Sequence, residues 1–191
     1  MTILGHNNGP TMEPGGGWRR YAWGRARRDL LPRMPIEVVR LRIRRARELG
    51  IDYKSYASIR AGTGRDIIAL LFSSNALSLA PRLVTIPAAK ADKLSLIRRC
   101  DRLAMLYAPA SPRDFVAENQ GFTDAARAPD LRHSWRDVGA MVTDLTSRHN
   151  LPGPGVVVVG DTDLEREWAD AGRLAGFLPS TAVFGGNAPG A

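Results

Sequence analysis

Two short blocks carry side chains able to handle a small ligand. Ser73-Ser74-Asn75 follows the apolar run Asp66–Phe72 (DIIALLF), and Asp161-Thr162 follows Val156–Gly160 (VVVVG). Hydroxyl, amide and carboxylate groups just past an apolar run of strand length would lie at the carboxyl edge of a parallel sheet. That edge is where open α/β folds bind ligands. The same residue types also accept hydrogen bonds from the first N–H groups of a helix. Capping is the preferred reading of both blocks, and a ligand pocket of Ser73, Ser74, Asn75, Asp161 and Thr162 is the alternative.

A third set of candidates is cationic. Arg19, Arg20, Arg25, Arg27 and Arg28 alternate with Trp18, Tyr21 and Trp23. Guanidinium forks grip phosphate and aromatic rings stack on unpaired bases, so this mixture suits nucleic acid. It equally suits a helix docked through its tryptophans with its arginines in water. Downstream, Arg40, Arg44 and Arg47 fall on one stripe of a predicted helix over 35–49. Lys54 and Arg60 belong to a second helix predicted over 53–61. The linking stretch, RIRRARELGIDYKSYASIRA over 42–61, has the spacing of a helix-turn-helix. Ala46 lets two helices approach, Gly50 permits the turn, and Leu49, Ile51, Tyr56 and Ile59 anchor the second helix. Arg45 departs from that pattern, which wants an apolar residue there. The alternative is an ordinary helical hairpin with surface charges.

Two resemblances follow from these residues. Asp161 and Glu165 stand in a GDxxxE spacing, which resembles the last acidic motif of haloacid-dehalogenase-like phosphatases. The likeness covers under a tenth of the chain, and the DxDxT nucleophile of such enzymes is absent from the sequence. Phosphatase chemistry therefore does not follow. Gly160-Asp161-Thr162 is similar to the GDS block of some esterases, but Thr162 replaces the nucleophilic serine and no DxxH follows. The opening LGHNNGP resembles a GHNN-P start found in phage-related and other α-proteobacterial proteins, which implies a bacterial source and no activity.

Other chemistry has little support. Cys100 is the single cysteine, so an internal disulfide and CxxC zinc or redox sites are excluded. Its basic neighbours would lower a thiol pKa, but a small apolar role is expected. His6, His133 and His149 show no metal-ligand spacing. The GxG at 62–64 precedes an apolar run instead of following one, so it fails the context of a dinucleotide fingerprint. No catalytic residue, cofactor or metal is implied.

The charge distribution sharpens the cationic candidate. The chain of 191 residues carries +8, with 27 basic and 19 acidic residues. Eleven arginines and three acids lie between Arg19 and Glu48, leaving sixteen of each sign elsewhere. The whole excess therefore sits in one segment, as expected for a polyanionic partner.

Residues 1–17 are polar and Gly/Pro-rich and read as a disordered arm, as does 187–191. Residues 18–62 read as a basic helical segment, with a helix over 18–31, and 63–186 as an α/β core. Strands are expected at 66–72, 83–86, 103–107, 156–159 and 181–184. Helices are expected at 88–99, 113–119, 135–149 and 164–177. Continuous apolar strands alternating with helices predict a mainly parallel, Rossmann-like three-layer sheet of four or five strands. No apolar stretch approaches bilayer length and no targeting segment is visible, so the expected address is the cytoplasm. The leading expectation is a binding or regulatory protein, not an enzyme, that contacts nucleic acid or an acidic protein through its Arg-rich helices. The alternatives are a small Rossmann-like enzyme or nucleotide-binding protein with its site at the strand ends, and a structural interaction module. The sequence sets no oligomeric state.

Overall fold

The computed structural model describes residues 34–185. Its contacts divide the chain into two compact units, Met1–Val39 and Arg40–Ala191. Of the first, only residues 34–39 are described, and the predicted helix over 18–31 and the arginines it carries lie outside the described residues. The second unit holds a five-stranded, all-parallel sheet flanked by helices.

In chain order the elements are α1 (Ile36–Glu48), α2 (Tyr53–Thr63), β1 (Ala69–Ser73), α3 (Ala88–Ser95), β2 (Asp101–Leu106) and α4 (Pro112–Glu118). There follow β3 (Asp124–Arg127), α5 (Trp135–Ser147), β4 (Val156–Gly160), α6 (Asp163–Ala171), β5 (Gly176–Pro179) and α7 (Ser180–Phe184). The strands lie in the order β3-β2-β1-β4-β5, with Leu71 beside both Leu103 and Val158.

The residue types explain the layers. Every residue of β1 and β4 is buried, because both faces of these strands are covered. On one face, Leu70, Phe72, Ala104, Leu106, Val157 and Val159 pack with Leu49, Tyr56, Leu94 and Phe115. On the other, Leu71, Leu103, Met105, Val156 and Val158 pack with Val142 and Leu145 of α5 and Trp168 of α6. The alternation along each strand is the period-two geometry of a pleat, with apolar residues at both phases.

Several expectations need correction. Residues 83–86 form a loop: Leu83 is exposed and only Ile86 is buried. Residues 181–184 are helical, as part of α7, and the fifth strand lies just before them. The predicted helix over 164–177 ends at Ala171, freeing Gly176 and Phe177 for β5. The short strand β3 was not expected at all. The predicted helix over 88–99 stops at Ser95, beyond which Arg99 takes a left-handed φ of 52°. The stretch after Asn75 is a set of turns, not a helix. On α1, Ile36 and Leu41 are exposed and Ala46 is buried.

Candidate functional site

The arginine stripe begins on α1. Arg40, Arg44 and Arg47 are exposed, and none forms an ion pair among the described residues. Arg45, on the same helix, is used internally. Its Nε donates to Asp66 at 3.0 Å, and its two terminal nitrogens donate to Glu48 and to the carbonyls of Ile67, Arg98 and Arg99 at 2.7–3.2 Å. A helix-turn-helix wants an apolar residue there. Here the position faces the amino edge of β1 and β2, where carbonyls end and a guanidinium fork can collect them. Asp66 also accepts from Tyr56 Oη at 2.8 Å.

The turn between α1 and α2 forms as its sequence requires. Gly50 has φ +70°, and Asp52 caps α2 by accepting from the Ser55 N–H at 3.0 Å. Tyr56 is buried and Ile59 half-buried, so α2 lies on the sheet. Lys54 and Ser58 are exposed. With Ser55 they line an open groove of about 420 Å³ whose far side is Phe177 and Leu178 of β5. Arg60 lies 3.7 Å from Asp66 and donates to Tyr56 Oη at 3.4 Å. Arg19, Arg20, Arg25, Arg27 and Arg28 lie outside the described residues.

The pocket candidates meet at the opposite edge, over β1 and β4. Glu165 is their centre. Its Oε2 accepts from the N–H groups of Asp161 at 2.7 Å and Thr162 at 3.1 Å, and its Oε1 accepts from Asn75 Nδ2 at 2.8 Å. Thr162 Oγ1 accepts in return from the Glu165 N–H at 3.3 Å, completing a capping box on α6. Gly160 makes this possible. A Cβ there would lie 2.8 Å from both Glu165 Oε2 and a Phe177 ring carbon. Asp161 reaches across the crevice, its Oδ1 accepting from the Ser180 N–H at 3.2 Å.

Asn75, Asp161 and Thr162 are thus brought together and exposed, while Ser73 and Ser74 are buried. Ser73 Oγ caps the turn at the Ala76 N–H, and Ser74 Oγ accepts from the Tyr107 N–H at 3.2 Å. Capping of α6 by Thr162 agrees with the preferred sequence reading, whereas Ser73 caps a turn because no helix follows it. Glu165, Tyr107 and Lys90 were not among the site candidates. The signal for Glu165 was present as T-x-x-E over 162–165, but burial of the carboxylate was not legible. Burial and the Glu165 charge push the Tyr107 hydroxyl above its ordinary pKa. Burial lowers the Lys90 ammonium, with the Asp161 charge opposing. Lys90 Nζ donates to the Ala76 carbonyl and to Ser78 Oγ, and lies 4.7 Å from the centre of the Phe184 ring.

Cys100 packs partly buried against the core, in line with the small apolar role read from the sequence. Burial raises its thiol to about 12, outweighing its basic neighbours. Among the described residues no cluster of three or more His, Cys, Asp or Glu side chains is arranged to hold a metal ion, and no helix is long and apolar enough to cross a membrane. Comparison of the chain with protein-family models, with curated proteins and with solved structures gave no match.

Proposed function

We propose that this protein binds nucleic acid through the outer face of α1, with the α/β body as its scaffold. The observation that supports this reading is the division of labour among the arginines of one helix. Arg45 is held by Asp66 and Glu48, whereas Arg40, Arg44 and Arg47 are exposed without an acidic partner among the described residues. At i, i+4 and i+7 they share one side of the helix and span about 10 Å along its axis. A row of guanidinium forks at that spacing suits successive phosphates of one strand. The local charge excess between Arg19 and Glu48 favours the same partner.

Salt dependence tests it. Three phosphate contacts contribute a slope of about −2.7 in the logarithm of the association constant against log salt on duplex DNA, a loss of about 40-fold between 50 and 200 mM. Fluorescence anisotropy with a labelled duplex and a labelled single strand would read it. The triple variant R40Q/R44Q/R47Q should bind more weakly at low salt and lose that part of the slope. Absence of low-salt binding, or an unchanged slope in the triple variant, overturns the proposal.

A further inference from the structure

The cationic face of α1 does not stop where the helix stops. Glu48, its last residue, stands one turn beyond Arg44 on the same side. A carboxylate at i+4 ordinarily draws such an arginine into an ion pair. Here Glu48 is taken from the sheet side instead. Arg45 Nη1 donates to it at 3.2 Å and Arg99 Nη2 at 2.5 Å. Arg44 is left exposed, with no ion pair among the described residues.

The same contacts bring two further arginines up to the helix end. The Arg98 N–H donates to the Glu48 carbonyl at 2.8 Å. The Arg45 guanidinium donates to the carbonyls of Arg98 at 3.2 Å and Ile67 at 2.7 Å. Arg98 therefore abuts the last turn of α1, and Arg65 lies two residues before a carbonyl that α1 holds. They precede β1 and β2, neighbouring strands in which Ala69 pairs with Asp101. Both arginines are exposed, and neither side chain has a hydrogen bond or ion pair among the described residues.

The acids close by are already engaged. Asp66 is held by Arg45 and Tyr56, and Glu48 by Arg45 and Arg99. Asp101 turns toward β3, where it accepts from Thr123 Oγ1 at 3.1 Å. What remains is Arg40, Arg44 and Arg47 along α1, then Arg98 and Arg65 beyond its end. Arg99, with its side chain 73% exposed over Glu48, joins the two groups.

We propose that the phosphate-binding surface turns at Glu48 onto the amino edge of the sheet, where Arg98 and Arg65 contact phosphates of the same nucleic acid. This rests on the reading of α1 as the nucleic-acid face. Arginine suits the task, because its fork bonds two phosphate oxygens and keeps its charge at any working pH. The Glu48–Arg99 pair positions the surface. It leaves Arg44 without an internal partner and covers a carboxylate that would repel the backbone.

The test is fluorescence anisotropy of the full-length chain with a labelled duplex between 50 and 200 mM salt. Two phosphate contacts contribute about 1.8 to the slope, so the parent's loss of affinity over that range should exceed that of R65Q/R98Q by about 12-fold. R65K/R98K keeps both charges and should keep the parent slope. R113Q/R136Q removes two exposed arginines from the opposite edge, where neither forms an ion pair among the described residues. Its slope should match the parent's. An unchanged slope in R65Q/R98Q overturns the proposal, as does a lysine pair that behaves like the glutamine pair. An equal drop in R113Q/R136Q overturns it too, since net charge alone would then explain the effect. A slope that falls in R40Q/R44Q/R47Q but not in R65Q/R98Q removes this extension and leaves α1 standing. No low-salt binding by the parent removes both.

Discussion

The two edges of the sheet use polar residues in opposite ways. At the amino edge, Arg45, Asp66, Tyr56 and Glu48 spend their polar atoms on one another and on backbone carbonyls, and Arg99 closes the group by pairing with Glu48 at 2.5 Å. At the carboxyl edge Glu165, Ser73 and Ser74 are buried and hydrogen-bonded, while Asn75 and Asp161 are exposed. The first arrangement fixes the helical pair to the sheet. The second leaves polar groups of two loops facing solvent. The lesson is that a charged cluster becomes informative about function only after its internal bonds have been subtracted.

That contrast can be broken by substitution. Arg45→Met removes five hydrogen bonds and leaves Asp66 without its closest cation. Asp66 keeps contact with water, which holds the cost to about 3 kcal/mol, read as a lower urea midpoint at unchanged m-value. Thr162→Ala at the other edge removes one helix cap, so about 1 kcal/mol is expected in the same measurement. Equal losses at the two positions would erase the distinction. The smallest effect is one of pH. The hydrogen bond from Arg99, aided by Arg45, holds the Glu48 carboxyl below its ordinary value of 4.5 in spite of burial. A depressed folded pKa gives stability that is present above the unfolded value and lost as pH falls through the folded one. Acid unfolding monitored by circular dichroism should therefore begin at higher pH in Arg99→Gln than in the parent chain.

Legibility in the sequence followed burial. VVVVG over 156–160 and ALLF over 69–72 are unbroken apolar runs of strand length, so the central strands and the parallel three-layer fold were readable. Edge strands were not. β3 reads DAAR, with Ala125 its only buried residue, and β5 reads GFLP, four residues beyond the Gly172 that ends α6. Thr181–Phe184 imitates a strand through its β-branched residues. Its Ser180 N–H is instead taken by Asp161, nineteen residues earlier. At the candidate site, Asn75, Asp161 and Thr162 were readable because they follow apolar runs. The burial of Glu165 among them was not. Arg45 shows the same limit. Its misfit in a helix-turn-helix pattern was visible, but the carbonyls it collects come from residues 67, 98 and 99, which only the fold brings together.

The position of β4 in the sheet has a consequence for synthesis. Ala69 of β1 aligns with Val156, so the middle of the sheet joins residues 87 positions apart. A ribosome that has released β1, β2 and β3 has supplied only half of what β1 pairs with. Until β4 emerges, the other edge of ALLFS stands open, with unpaired N–H and carbonyl groups on a strand that is apolar except for Ser73. The nascent chain thus passes through a stage in which its best-formed strand is also its most adhesive one, and chains cut short before Val156 stay in it.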